Sequence, residues 1–184
     1  MNNFINNRRK FLLLVLASSF CGTLYALIAK DNHSLLYTLN NFFANSFNTV
    51  PVMNIFRETM ITYIVPMTLV FIGASSKNWI PLAIVSLFYM VFSYSFTFAC
   101  LIILYGLKGV LIAFIFSGIT STVFVGVLIE LFYRGTLYIQ SEKIRNFRTY
   151  FDYYLLSLVV IFGIAVMDAI FIQYVKILVK NVLF

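Results

Sequence analysis

Acidic residues, histidine and cysteine are all scarce in this chain, with six Asp and Glu, one His and two Cys among 184 residues. Metal sites, catalytic triads and disulfide frameworks each need several such side chains at workable spacings. Charged residues amount to 10%, where a soluble domain carries roughly a quarter. Apolar residues reach 62%, too many for so small a globule to bury. Water is the wrong solvent. The expected class is an all-α polytopic membrane bundle. The sequence has no Gly-rich phosphate loop, nucleophile elbow or paired carboxylates, nor the Asp pair, Ser/His pair or zinc motif of an intramembrane protease. We expect no enzyme activity, no cofactor and no metal.

What the chain does have is long apolar runs with basic residues between them. The net charge of +7 would indicate nucleic acid in a soluble protein. Here the basic residues sit at span ends, where they set topology and meet anionic headgroups, so no nucleic-acid partner is expected. Cys21 and Cys100 fall inside apolar runs and read as small buried hydrophobes.

Hydropathy predicts one transmembrane domain with five spans, at about 11–28, 53–74, 79–105, 110–133 and 154–174. The first follows Arg8, Arg9 and Lys10 as a signal peptide would, but with the rest of the chain also apolar it reads as an uncleaved helix. Over 34–48, Leu35, Leu36, Leu39, Phe42, Phe43 and Phe47 recur at helical spacing between asparagines. That pattern predicts an amphipathic helix lying in the outer interface. Pro66 predicts a kink in the second span. The third span is about 40 Å long at 1.5 Å per residue, so it must tilt, bend or protrude. An extra crossing or re-entrant turn within 79–133 is the alternative topology.

The fourth span is expected to close at Arg134, and 135–153 to form a charged loop with Glu142, Lys143, Arg145, Arg148 and Asp152. A short interfacial helix carrying Lys176 and Lys180 should follow the fifth span. Five spans with the N-terminus inside put Arg8, Arg9, Lys10, Lys77, Arg134, Lys143, Arg145 and Arg148 on the inner side. The outer side then holds Lys30, Arg57, Lys108, Lys176 and Lys180. The denser inner clusters favour an N-terminus inside and a C-terminus outside.

Ionisable side chains within spans are the candidate functional residues, because each costs a few kcal/mol in lipid. Asp168 is the clearest. It has a structural reading, pairing with Arg57, Lys108 or a backbone group near the outer interface, and a functional one as a coupling or recognition carboxylate. Glu130 and Arg134 are four apart, the spacing of a helical ion pair. Arg57 and Glu58 should anchor the outer mouth of the second span. His33 has no second His or Cys to complete a metal site. Gly118, Thr122 and Gly126 form a small-residue register that lets another helix approach closely, with Ser117 and Ser121 beside it. They predict that the fourth span is central to the bundle.

The order of parts resembles the stage II sporulation protein M family of bacterial integral membrane proteins. The residues carrying the resemblance are Leu35 to Phe43, Phe71-Ile72-Gly73 followed by Ile80-Pro81, the Tyr105-Gly106-Leu107-Lys108-Gly109 hinge, and Asp168-Ala169. The chain departs from that pattern at Gly118–Thr122 and at Arg57-Glu58-Thr59. The resemblance implies a non-enzymatic scaffold of the bacterial cytoplasmic membrane that recruits membrane or wall-associated proteins, such as cell-wall hydrolases during engulfment. Bacteriocin-linked relatives imply an alternative, an accessory or permease-like subunit beside an ABC-type ATPase. A six-helix vitamin-transporter subunit is a third possibility, set back by the odd span count.

Overall fold

The computed structural model describes residues 2–32, 37, 51–114, 118–140 and 147–183, with side chains described at 9–32, 37, 51–114, 118–140 and 147–170. Among the described residues six helices follow in order: α1 (Asn2–Ala29), α2 (Val52–Gly73), α3 (Ile80–Tyr105), α4 (Leu107–Ala113), α5 (Ile119–Gln140) and α6 (Phe147–Leu183). A 3-10 turn at Lys77–Trp79 leads into α3. Five stretches are long and apolar enough to cross a membrane: Arg9–Ala29, Val52–Gly73, Lys77–Tyr105, Ile119–Gln140 and Phe147–Ile170. Helices meet the demand that lipid makes, since every backbone N–H and C=O must be satisfied inside the segment. The chain is a multi-pass membrane protein.

Three span boundaries differ from those read in the sequence. Over the expected fourth span, 110–133, the described residues fall into α4 and α5, and Phe114 and Gly118 between them are π-helical. The first of these residues belong to α4, which is seven residues long. Gly106, whose φ is +58°, a left-handed conformation open to glycine at little steric cost, separates α4 from α3, where the third span was expected to end. The remainder continues in α5 past Arg134 to Gln140. Glu130 and Arg134 satisfy each other along that helix, so the charge does not end it. Residues 135–140 and 147–153 are therefore helical rather than loop. Similarly, the fifth span and the tail form one helix, α6, of 37 residues. No Gly or Pro occurs after Gly163 to stop it.

Several expectations lie outside the described residues: most of the amphipathic segment 34–48, His33, Ser117, and the charges at Glu142, Lys143 and Arg145. The side chains of Lys176 and Lys180 lie outside them too.

The core sits where α2, α3, α5 and α6 meet. Met67, Val70, Ala83, Leu87, Phe124, Leu128 and Ile161 are all inaccessible there. Helix α1 packs chiefly against α3 and turns Leu12, Leu13, Leu16, Phe20 and Ile28 outward. Those faces contact the lipid bilayer. Pro66 is accommodated within α2, and the buried hydroxyl of Ser86 on α3 donates to the Pro66 carbonyl at 3.0 Å. Ser86→Ala is expected to destabilise the bundle by about 1 kcal/mol, near the mean for hydrogen bonds between membrane helices. Reversible unfolding in mixed micelles would measure it, and an unchanged midpoint would show that the bond contributes nothing.

Antiparallel succession brings the start of α1, the end of α2, the Lys77–Trp79 turn, the end of α5 and the start of α6 to one end of the bundle. Cross-contacts confirm the alignment: the Tyr150 hydroxyl donates to the Phe71 carbonyl at 3.0 Å, and Tyr138 stacks on Tyr150 at 5.5 Å. Arg9, Lys10, Lys77, Arg134 and Arg148 therefore lie at one basic end. The opposite end is marked by Tyr25 against Phe96 at 5.5 Å and Phe56 against Phe162 at 5.6 Å.

Candidate functional site

Asp168 is half-buried in α6, one residue before the buried Ala169. Its partner is the Tyr63 hydroxyl, which donates to Oδ2 at 3.3 Å, in place of the Arg57, Lys108 or backbone partner the sequence suggested. Tyr63 projects from the middle of α2 and is 7% exposed. Its ring lies 4.5 Å from that of Phe124 on α5, tilted by 33°. Thr120 of α5 and Tyr94 of α3 border the same hydroxyl. The Tyr94 oxygen is buried and makes no hydrogen bond of its own among the described residues. Four of the five spans thus send a polar group to one place in the apolar interior.

The chemistry of this junction is that of a tie. A carboxylate, two phenols and a threonine hydroxyl gather there, and the Tyr63–Asp168 hydrogen bond joins α2 to α6. Among the described residues there is no group of three His, Cys, Asp or Glu side chains. Two further links join the same helices. Thr68 and Tyr154 share a hydrogen bond at 3.1 Å, and Tyr150 reaches the Phe71 carbonyl as described above. Helices α2 and α6 are therefore fastened at three levels.

Most other hydroxyls in the spans turn back on their own helix. Ser18 donates to the Leu14 carbonyl at 2.6 Å, Thr97 to Ser93 at 2.9 Å, Thr122 to Gly118 at 2.6 Å and Ser157 to Tyr153 at 2.8 Å. This satisfies each hydroxyl locally and keeps it out of any interhelical path.

The remaining sequence candidates are placed as follows. Glu130 and Arg134 form the expected i,i+4 pair, Nε to Oε1 at 2.8 Å, and the guanidinium also lies 4.3 Å over the Tyr153 ring. Arg57 is exposed at the far end of α2 beside Glu58, which is exposed too. Lys108 is exposed in the first turn of α4. The Gly118/Thr122/Gly126 register makes no close approach to another helix; Gly118 and Thr122 line an open groove with Thr23 of α1 and Ser95, Ala99 and Ile102 of α3. Thr122 and Gly126 are exposed, and a Cβ at Gly126 would meet nothing within 4 Å. Helix α5 is central through its other face, with Phe124, Leu128, Leu131 and Phe132 buried.

Close approaches occur at glycines outside that register. A Cβ at Gly22 would lie 2.6 Å from the Phe92 carbonyl oxygen, and one at Gly73 would lie 2.5 Å from the Ala83 nitrogen. One at Gly135 would run into Ala74 and come 2.8 Å from the Tyr150 hydroxyl. Tyr63, Tyr94 and Thr120 were missed by the sequence reading. Twelve tyrosines in one chain hide the two at mid-membrane depth, although a phenol there needs a partner as much as a carboxylate does. No family model, curated protein or solved structure matches this chain.

Proposed function

We propose that this protein is a non-enzymatic membrane scaffold that recruits or positions other membrane or wall-associated proteins. The observation carrying this reading is the junction around Asp168. The most expensive side chain in the membrane interior is used to hold α2 to α6, while the hydroxyls of Ser18, Thr97, Thr122 and Ser157 elsewhere in the spans bond to their own helices. Such an interior supports a fixed platform rather than a moving pathway. Partners then meet the helix ends, the segments between them and the lipid-facing surfaces.

The basic end, holding Arg9, Lys10, Lys77, Arg134 and Arg148, supports a bacterial cytoplasmic membrane orientation with the N-terminus inside and the C-terminus outside. The resemblance to the stage II sporulation protein M family makes wall hydrolases and their anchors one candidate class of partner. The experiment is a crosslinked pull-down of the tagged protein from native membranes, with partners identified by mass spectrometry and located in cells lacking it. The scaffold reading expects partners that lose their position when the protein is absent and keep their own activity. Stoichiometric recovery of an ATP-binding subunit would overturn it in favour of a transporter subunit.

A further inference from the structure

A cavity of about 370 Å³ opens at the basic end of the bundle between α1, α3 and α5. Its volume falls within the range of roughly 300–1,000 Å³ typical of small-molecule sites. Two of its three walls change from polar to apolar along the membrane normal, while the α3 wall, Ile80 and Ile84, is apolar throughout. On α1, exposed Lys10 is followed one turn deeper by half-buried Leu14; on α5, exposed Gln140 gives way to Thr136 and then to Phe132, which is 2% exposed. Ile84 of α3, 38% exposed, closes the apolar side. From Gln140 to Phe132 the wall runs about 12 Å inward.

Polar groups at the mouth and hydrocarbon below match one molecule in the surroundings, a lipid lying with its headgroup at the rim. The Thr136 hydroxyl is committed to the Tyr133 carbonyl at 2.7 Å. That leaves the Lys10 ammonium and the Gln140 amide as donors. Both suit a phosphate, and Arg9 and Lys77 add positive charge at the same level. Trp79, 56% exposed in the turn before α3, sits where aromatic side chains mark the headgroup layer.

We propose that this cavity binds an anionic glycerophospholipid, with its phosphate at Lys10 and Gln140 and an acyl chain along Leu14, Ile84 and Phe132. The site stands independently of which proteins the bundle recruits. Basic pockets between membrane helices hold anionic headgroups through the same combination of charge and apolar depth.

Native mass spectrometry of the full-length detergent-purified protein tests this, using phosphatidylglycerol and phosphatidylcholine of identical acyl chains. Phosphatidylglycerol should be retained about fivefold better, the ratio that one lysine near an anionic surface supplies. Lys10→Gln should bring retention down to the phosphatidylcholine level, while Lys30→Gln at the opposite end should change nothing. Ile84→Trp fills the cavity from a partly exposed position and should reduce retention of both lipids. Gel filtration of each variant checks that it remains folded. Equal retention of the two lipids overturns the proposal. So does loss with Lys10→Gln but not with Ile84→Trp, which would put the lipid on the outer surface. A dimer broken by Ile84→Trp would assign the cavity to a second copy of the chain instead.

Discussion

Gly73→Ala is expected to lower the unfolding free energy of the bundle by about 2–3 kcal/mol, whereas Gly126→Ala should leave it unchanged or raise it by about 0.5–1 kcal/mol. The contrast follows from what each new methyl would meet. At Gly73 it would sit 2.5 Å from the Ala83 nitrogen and 3.0 Å from the Ala83 Cα, both backbone atoms. Backbone cannot rotate away as a side chain can, so α2 and α3 must separate where they are joined by the turn at 74–79. The loosening would reach Val70 and Leu87, both inaccessible in the core. At Gly126 there is open space, and alanine only improves the helix propensity of α5. Reversible unfolding in mixed micelles or bicelles compares the two directly. Equal losses would mean that α5 packs through its Gly118/Thr122/Gly126 face after all.

That contrast also shows what the sequence could and could not convey. Five spans were legible because hydropathy averages over many residues, and the first three came within about two residues at most of their ends. The flanks at 135–140 and 147–153 were read as loop from their charge. Yet Arg134 is neutralised by Glu130 and stacks on Tyr153, which leaves the helix intact. Small-residue spacing within one helix identified a face that could be approached, but which neighbour arrives is a tertiary fact. Gly22, Gly73 and Gly135 stand singly and give no pattern. Asp168 was legible for the opposite reason, since a carboxylate in an apolar run stands out by itself. Its partner was sought among cations and backbone groups, and the structure supplied a phenol that composition had hidden.

Tyr63→Phe should destabilise the protein by about 1–2 kcal/mol, at the upper end for polar contacts between membrane helices. The ring is retained, so its packing at 4.5 Å on Phe124 survives and only the hydroxyl is lost. The half-buried carboxylate of Asp168 then loses the donor that joined α6 to α2, and removing one partner of a buried pair exposes the other's desolvation cost. Asp168→Asn keeps an acceptor oxygen and should cost less than about 1 kcal/mol. If the two groups act as one tie, their effects will not add. The doubly substituted protein should be more stable than the sum of the single losses implies, with a coupling of about 1 kcal/mol. Strict additivity would mean that Tyr63 and Asp168 do not meet in the folded protein.

On the scaffold reading proposed above, Asp168 joins helices and is not itself a working group. The direct measurement is partner recovery by Asp168→Asn, crosslinked in native membranes at matched expression alongside the unmodified protein. The account predicts the same partners in the same amounts, because the asparagine side chain keeps an oxygen for the Tyr63 hydroxyl and leaves the helix surfaces alone. Loss of those partners from a variant that remains inserted and as stable as its parent would contradict it, and would make the carboxylate part of the function itself.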